Sequence, residues 1–444
     1  MPAARTSPIL RRYILTFVTQ VSVAACSLFN NFLTARALGP EGKGTVYLII
    51  LLCNVLVYVF MAGLDQAMIY HIGRNLFPRE RILRTATTLG LLGSGLSVGT
   101  FLAFPASWRQ AIARGLSGPL EVIALVGVPL LFVGTVWTCF ALALNRIGLY
   151  NILKSAPILV YTLLLIAAYY SLPHRVMVFA LAWLTSIFLA CVAIFVIVNR
   201  EVPIRPGLDR AFALRGTAFG LKTHLGTLLQ FFNYRFDAFL VNYWWGGAQL
   251  GLYSVAFAIA EILWYIPQSA STVIGPEVPR RDIEGANRLT SWTCRNVLWV
   301  TAGSAVVLYL VARPLIANLL PAFVPSIPAL ALLLPGVVTM CVSRVIASDL
   351  IGRGKPLLST YVAGVTAVLA AVLYFWWIPK YGMRGAALAS TVIYSFSALL
   401  SLVVFVTQTK LSISEMLVPK FSDLRRYAEL YADLRGRLGR KGEA

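Results

Sequence analysis

The chain has 444 residues, of which 59% are hydrophobic and 12% charged, with a mean hydropathy of +0.77. A water-facing protein carries about a quarter charged residues, so a secreted enzyme, a disordered scaffold and a soluble nucleic-acid binder are excluded. The 38 Lys and Arg against 17 Asp and Glu leave a net charge of +21; in so apolar a chain that excess belongs to cytoplasmic loops and not to nucleic acid. The composition is that of an all-α polytopic membrane protein.

Apolar runs and their breaks predict twelve transmembrane helices, at roughly 13–36, 45–71, 83–104, 119–143, 148–170, 176–199, 215–243, 249–275, 291–312, 323–351, 356–378 and 384–408. The first run, from Tyr13 to Leu38, is longer than the core of a signal peptide and reads as an uncleaved span. With the N-terminus inside, basic residues crowd the inner segments, among them Arg74, Arg79, Arg81, Arg84, Arg280, Arg281 and Arg288. The outer turns hold few, Lys43 being one. Both termini are therefore expected in the cytoplasm.

The longest inner connection, 200–214, carries Pro203 and Pro206 and divides the spans six and six. This predicts an N-lobe over 1–199, a C-lobe over 215–410 and a cytoplasmic tail over 411–444. Local echoes support a duplication: Gly44-Thr-Val-Tyr47 opens span two and Gly251-Leu-Tyr253 opens span eight, while Asn145-Arg146-Ile-Gly148 resembles Gly352-Arg353-Gly354-Lys355. Duplicated halves enclose the substrate site of many transporters. In the tail, Leu424, Tyr427, Tyr431, Leu434 and Leu438 step along one face from Ser422 onward, which predicts an amphipathic helix on the inner leaflet. A cut after Thr409 is expected to leave transport measurable.

Polar side chains inside a membrane are costly, so their angular positions mark a cavity. On span one, Thr16, Gln20, Ser27, Asn31 and Thr34 share about 60° of arc at about 100° per residue. Tyr47, Asn54, Tyr58 and Asp65 share about 20° on span two, Thr223, Thr227, Gln230, Tyr234 and Asp237 about 80° on span seven, and Ser254, Glu261, Tyr265, Gln268 and Thr272 about 60° on span eight. Spans one, two, seven and eight are the corresponding first pairs of the two lobes. Ordinary hydrogen bonding between packed helices explains any one stripe; four in related positions favour an aqueous cavity. Pro267 is expected to kink span eight.

Three cations lie within spans: Arg235, Lys154 and Arg344. Arg235 is the deepest and sits about 160° around the helix from Asp237, so the two cannot pair. Arg344 either pairs with Asp349 or snorkels, and Lys154 is within snorkelling reach of the inner face. Gly95 and Gly99 read as a close-packing face, and His71 and His174 as solvated residues near the interfaces. The six cysteines are scattered singly, which gives neither a disulfide framework nor a metal site.

Catalytic chemistry is missing from the sequence. Gly39–Gly44 lacks the spacing and the Ser/Thr of a P-loop, no histidine is followed by an acyltransferase aspartate, and no Asp-x-Asp occurs. The protein is not expected to be an enzyme.

Ala35–Gly44 (ARALGPEGKG), running through span two to Gly63–Ala67 (GLDQA), resembles the N-terminal signature of the polysaccharide-repeat (O-antigen type) flippases. These belong to the multidrug/oligosaccharidyl-lipid/polysaccharide (MOP) exporter superfamily. Asn233–Asp237 (NYRFD), followed by Gly251–Ser254 (GLYS) and Glu261–Trp264 (EILW), is similar to the start of their second lobe. The resemblance implies two six-helix lobes in a V, alternating access, and transfer of an undecaprenyl-diphosphate-linked oligosaccharide from the cytoplasmic to the outer leaflet of the plasma (inner) membrane. It implies membrane lipids and other polysaccharide-assembly proteins as partners, as in lipopolysaccharide synthesis.

The residues expected to bind the substrate are Arg235, Asn31, Gln20, Asn54, Gln230, Tyr265, Gln268, Lys154 and Arg344. Asp65, Asp237 and Glu261 are the candidates for carrying a coupling proton or sodium ion, with no other cofactor. A cation-coupled exporter of small drugs on the same fold would prefer an aromatic, Met-lined cavity with its acids in one lobe. Here the acids are spread over both lobes and accompanied by amides, which favours a glycan. Lipid II flippases of the superfamily usually add two spans for which this chain lacks room, and a non-transporting scaffold for glycan assembly is a further reading.

Overall fold

In a membrane the backbone of so apolar a chain satisfies its hydrogen bonds within helices, and helices carry most of the protein. The computed structural model describes residues 8–116, 118–172 and 175–420, so His174 and the amphipathic segment from Ser422 lie outside the described residues. The helices are α1 (Pro8–Phe60), α2 (Leu64–Gly73), α3 (Arg79–Ala103), α4 (Ala106–Ile112), α5 (Pro119–Ala143), α6 (Ile147–Ser171) and α7 (Val176–Glu201). After the linker come α8 (Arg210–Ala260), α9 (Tyr265–Glu277), α10 (Ile283–Leu319), α11 (Ile327–Gly352), α12 (Pro356–Thr409) and α13 (Ile413–Leu417). Among the described residues, nine helical stretches are long and apolar enough to cross a membrane.

Three helices are far longer than one crossing: α1 has 53 residues, α8 has 51 and α12 has 54. Straight, each would extend about 80 Å, against a hydrocarbon core of about 30 Å. Each is redirected at a single glycine with positive φ: Gly39 at 65°, Gly246 at 81° and Gly382 at 58°. The sequence predicts loops at these three places. One left-handed residue suffices instead, because glycine adopts that conformation without a Cβ clash, and after Gly39 the ring of Pro40 is already set for the first helical position.

Helix α3 shows the inverted pattern of a membrane protein. Thr85, Thr87, Ser94 and Ser97 are buried, whereas Leu91, Leu92 and Leu96 are exposed. The buried hydroxyls bond within the protein: Ser97 donates to the Leu56 carbonyl at 3.3 Å, and Thr87 accepts from the Trp137 indole at 3.0 Å. Gly95 and Gly99, expected to pack closely, face open space. The nearby glycines that do pack are Gly90, against Val136, and Gly93, against Phe132.

The chain forms two compact units. One runs to Ile259 and adds Arg313–Leu330 and Ala367–Ser390; the other comprises Ala260–Ala312, Ala331–Thr366 and the chain from Thr391. Within the first, α8 runs along α1 and α2 in the opposite direction. Phe219 stacks on Tyr70, Gly220 meets Gly63, Phe231 stacks on Tyr58, and Gly247 and Gly251 meet Gly44. His71 is not solvated: it is buried against Phe77, Phe212 and Phe219, with Nδ1 2.8 Å from the Ala67 carbonyl. The linker is pinned to α3, since the Gly207 and Asp209 amides donate to Thr88 and Thr85 at 3.0 and 2.8 Å.

In the second unit, an apolar core gathers Ile274, Cys294, Val345, Ile346, Phe405 and Met416. Helix α13 belongs to this core. Met416 is fully buried, the Arg295 guanidinium donates to the Glu415 carbonyl, and the Trp299 indole donates to the Leu417 carbonyl at 2.8 Å. The first part of the predicted tail is therefore folded onto the protein. Pro267 has no N–H for the Leu263 carbonyl, and just before it the helix tightens to a 3₁₀ turn over Glu261–Trp264.

Candidate functional site

Arg235 lies on the first half of α8, which places it opposite the polar stripe of α1. One guanidinium nitrogen donates to the Tyr47 hydroxyl at 3.2 Å, and the group lies 4.9 Å over the Phe257 ring. Tyr58 feels the charges of both Asp65 and Arg235, and Cys139 those of Asp65 and Lys154. Each of the three charges thus lies within electrostatic reach of Tyr58 or Cys139 in the first unit. Lys154 is exposed there, 5.6 Å over Tyr150, and Asp65 accepts from its neighbour Gln66 at 3.2 Å. Gln230 is exposed on α8 and reaches the Tyr234 hydroxyl at 3.3 Å, while half-buried Asn54 on α1 donates to the Ile50 carbonyl at 2.8 Å. In a membrane chain, exposed polar groups of this kind mark surface that needs water or a polar ligand.

Asp237 is separated from Arg235 as the helical geometry requires. Only 1% of it is exposed. Its carboxylate accepts from the Tyr253 hydroxyl, from Ser390 at 3.0 Å and from the Ala238 amide at 2.7 Å. Tyr374 closes the network, 3.2 Å from Ser390. Tyr253 is the tyrosine of the second echo and Tyr47 that of the first, so the two echoing tyrosines take the acid and the arginine. Neither Tyr253 nor Ser390 stands out from polar spacing alone; the repeated Gly-x(1–2)-Tyr pattern is the available signal.

A third group was not expected. Lys43, assigned to an outer turn, is 5% exposed. Its ammonium donates to Asn31 Oδ1 at 2.7 Å, and no carboxylate among the described residues pairs with it. At about 100° per residue Lys43 continues the Tyr47–Asn54–Tyr58–Asp65 stripe by one turn; the expected loop concealed it. Asn31 also donates to the Ser27 carbonyl at 2.9 Å, and Gln20 lies half-buried three turns earlier near the same face.

The remaining predicted residues belong to the second unit. Glu261 is half-buried and acts electrostatically on Tyr265, and Tyr265 and Gln268 are both exposed. Arg344 does not pair with Asp349. Its guanidinium lies 4.2 Å over the Trp264 ring, a cation–π arrangement. Asp349 instead holds Arg353, one turn on, through contacts of 2.6 and 3.2 Å, and also accepts from Thr290 at 2.6 Å.

A family model described as "Polysaccharide biosynthesis protein" matches residues 33–322. No curated protein matches the sequence. Among solved structures, lipid II flippase MurJ in an inward closed conformation matches with a TM-score of 0.76 at 14% identity, over 95% of this chain and 93% of that one. An inward-facing multidrug resistance MATE family transporter of the MOP superfamily matches at 0.64 and 15% identity, over 89% and 98%. A MOP superfamily transporter from Pyrococcus furiosus matches at 0.55 and 14% identity, over 91% and 96%. At these identities the likeness is one of fold. With the family model spanning well over half of its length, the chain belongs to the polysaccharide biosynthesis protein family and carries the fold of the MOP-superfamily flippases and transporters.

Proposed function

We propose that the protein flips a diphosphate-linked lipid oligosaccharide, such as an O-antigen repeat unit, from the cytoplasmic to the outer leaflet of the plasma membrane by alternating access. The observation that carries this reading is Arg235, held by the Tyr47 hydroxyl and the Phe257 ring, with Tyr58 on the same stripe of α1 within electrostatic reach of both Arg235 and Asp65. A guanidinium in a membrane is costly, roughly 2.5–3.5 kcal/mol on the insertion scale, and it matches phosphate oxygens in bidentate fashion. The amides and hydroxyls of the polar stripes on α1 and α8 suit a sugar.

In this reading each of the three kinked helices crosses twice, which makes twelve crossings with both termini cytoplasmic. The halves over 1–199 and 215–410 act as the two lobes. Asp237 is the leading candidate for the coupling proton or sodium ion, with Asp65 and Glu261 as the others, and partner proteins of polysaccharide assembly receive the product. The test is deletion of the gene and complementation. Lipid-linked repeat units should accumulate on the inner leaflet and surface polysaccharide should vanish; normal polysaccharide in the deletion strain ends the proposal.

A second reading, with lipid II as the substrate, is favoured by the MurJ match, which covers 93% of that chain; missing length therefore does not separate the two. Rescue of a lipid II flippase depletion would select it. A drug exporter is disfavoured by the family match, and drug resistance conferred by overexpression would select that reading instead.

A further inference from the structure

We propose that Lys43, with Asn31, is a second anion-holding station on the transport path and takes the diphosphate of the lipid-linked substrate after Arg235. This rests on the flippase reading above and adds a site to it. Four observations converge on Lys43. Its ammonium is 5% exposed and has one neutral partner, Asn31, and no acid. A buried ammonium is destabilising unless an anion compensates it, so a ligand that brings its own negative charge completes the site. The turn of α1 that carries Asn31 is itself short of partners, because both amide atoms of buried Asn30 lack a hydrogen bond.

Position supplies the rest. Lys43 stands four residues, about 6 Å along the helix, from Tyr47, whose hydroxyl holds Arg235. Lys43 is thus the next cation along α1 from the point at which Arg235 is anchored, and its own partner is Asn31. Lys43 also adjoins Gly44, whose backbone packs on Gly247 and Gly251. Separation of that contact, just past the Gly39 kink of α1 that the proposed topology turns outward, exposes Lys43 for release. The same phosphoryl chemistry occurs in free diphosphate and in anionic lipid headgroups, and the test separates these sources.

The experiment uses the full chain purified in phosphatidylcholine nanodiscs, with farnesyl diphosphate, inorganic diphosphate and phosphatidylglycerol as probes. Farnesyl diphosphate should bind the wild type more tightly than inorganic diphosphate does. Lys43→Gln should weaken that binding by on the order of tenfold or more, and Lys43→Arg should restore much of it. Lys43→Met should melt at the wild-type temperature or above it, since it removes an uncompensated charge, which separates lost binding from lost fold. Unchanged farnesyl diphosphate binding by a folded Lys43→Gln overturns the proposal. So does Lys43-dependent binding of phosphatidylglycerol alone, or inorganic diphosphate binding as tightly as the lipid form. If deletion of the gene spares surface polysaccharide while Lys43-dependent binding of farnesyl diphosphate persists, the glycan reading fails and the station stands. If export requires the gene but Lys43→Gln supports it fully, the station fails and the glycan reading stands.

Discussion

Gly44 of α1 and Gly251 of α8 meet backbone to backbone: a Cβ built on either would lie 3.0 Å from the amide nitrogen of the other. It would also overlap the carbonyl of Gly247 or of Pro40. These are the glycines of the two echoing segments, and the tyrosines that follow them hold Arg235 and Asp237. The contact thus fixes both charged groups relative to one crossing point.

Substitution at that crossing tests it. Gly44→Ala and Gly251→Ala should each destabilise the protein by about 1–3 kcal/mol or more, the cost of overpacking, because the opposing atoms are backbone and cannot turn aside. Gly95→Ala, where a Cβ meets nothing within 4 Å, should leave stability unchanged or slightly raised. Melting curves in detergent decide. Equal melting of all three variants would mean that the α1–α8 crossing yields more easily than its geometry allows.

Arg235 is expected to be needed for transport and not for folding. Arg235→Ala should abolish export at normal protein level, Arg235→Lys should retain part of it through the charge, and Tyr47→Phe should lower it less than Arg235→Ala. Surface polysaccharide set against membrane protein level is the measurement. Full export by a well-expressed Arg235→Ala removes the arginine from the mechanism.

Much of this architecture was legible in the sequence because hydropathy marks membrane helices and polar spacing marks faces. The stripe from Tyr47 to Asp65 and the separation of Arg235 from Asp237 both follow from about 100° per residue. What escaped is decided by contact between distant segments. Lys43 sits between two glycines and reads as a solvated turn until Gly44 is seen against Gly251. Arg344 and Arg353 are both basic residues near Asp349, and only the packing tells that one stacks on Trp264 while the other bonds the acid. Gly95 and Gly99 carry the spacing of a packing motif and no neighbour to pack against.

The Asp349–Arg353 pair should behave as a structural element. Asp349 is fully buried, and Arg353 also donates to Asn287 at 2.8 Å. Removing one partner leaves an uncompensated buried charge, at a cost of about 3–5 kcal/mol, so Arg353→Met should lower the melting temperature sharply. The double variant Arg353→Met with Asp349→Leu should recover much of that loss. A double variant as unstable as the single one would show that the cost lies in packing and not in charge.

Cysteines introduced at Gln20, Asn54, Gln230 and Glu261 in a cysteine-free background should react with a membrane-impermeant thiol reagent. The controls follow from the burial. Leu51 is 4% exposed and so serves as the buried control, and Leu92, 62% exposed on α3, serves as the lipid-facing one. Both should stay unreactive. Silence at all four polar positions would mean that these faces pack helices and line no water.

Truncation distinguishes the two parts of the tail. The packing of α13 adds a stability cost to the expectation that a cut after Thr409 leaves transport measurable. Met416 is buried in the second unit's core, Ser412 and Glu415 form a capping box at the start of the helix, and Arg295 and Trp299 bond its carbonyls. Losing a buried methionine costs about 2–5 kcal/mol. Arg295, only 6% exposed, would in addition lose the Glu415 carbonyl as an acceptor. A chain ending at Thr409 should therefore fall in abundance and in melting temperature, and export should fall with it. A chain ending at Lys420 keeps every one of these contacts and should fold normally. Its export should remain measurable, because the deleted segment's arginines (Arg425, Arg426, Arg435 and Arg437) each contribute about 1 kcal/mol of attraction to an anionic leaflet and none lies on a predicted span. Complete loss of export by a stable chain ending at Lys420 would give the segment after it a direct part in transport, whereas normal stability of the chain ending at Thr409 would remove α13 from the fold's essential core.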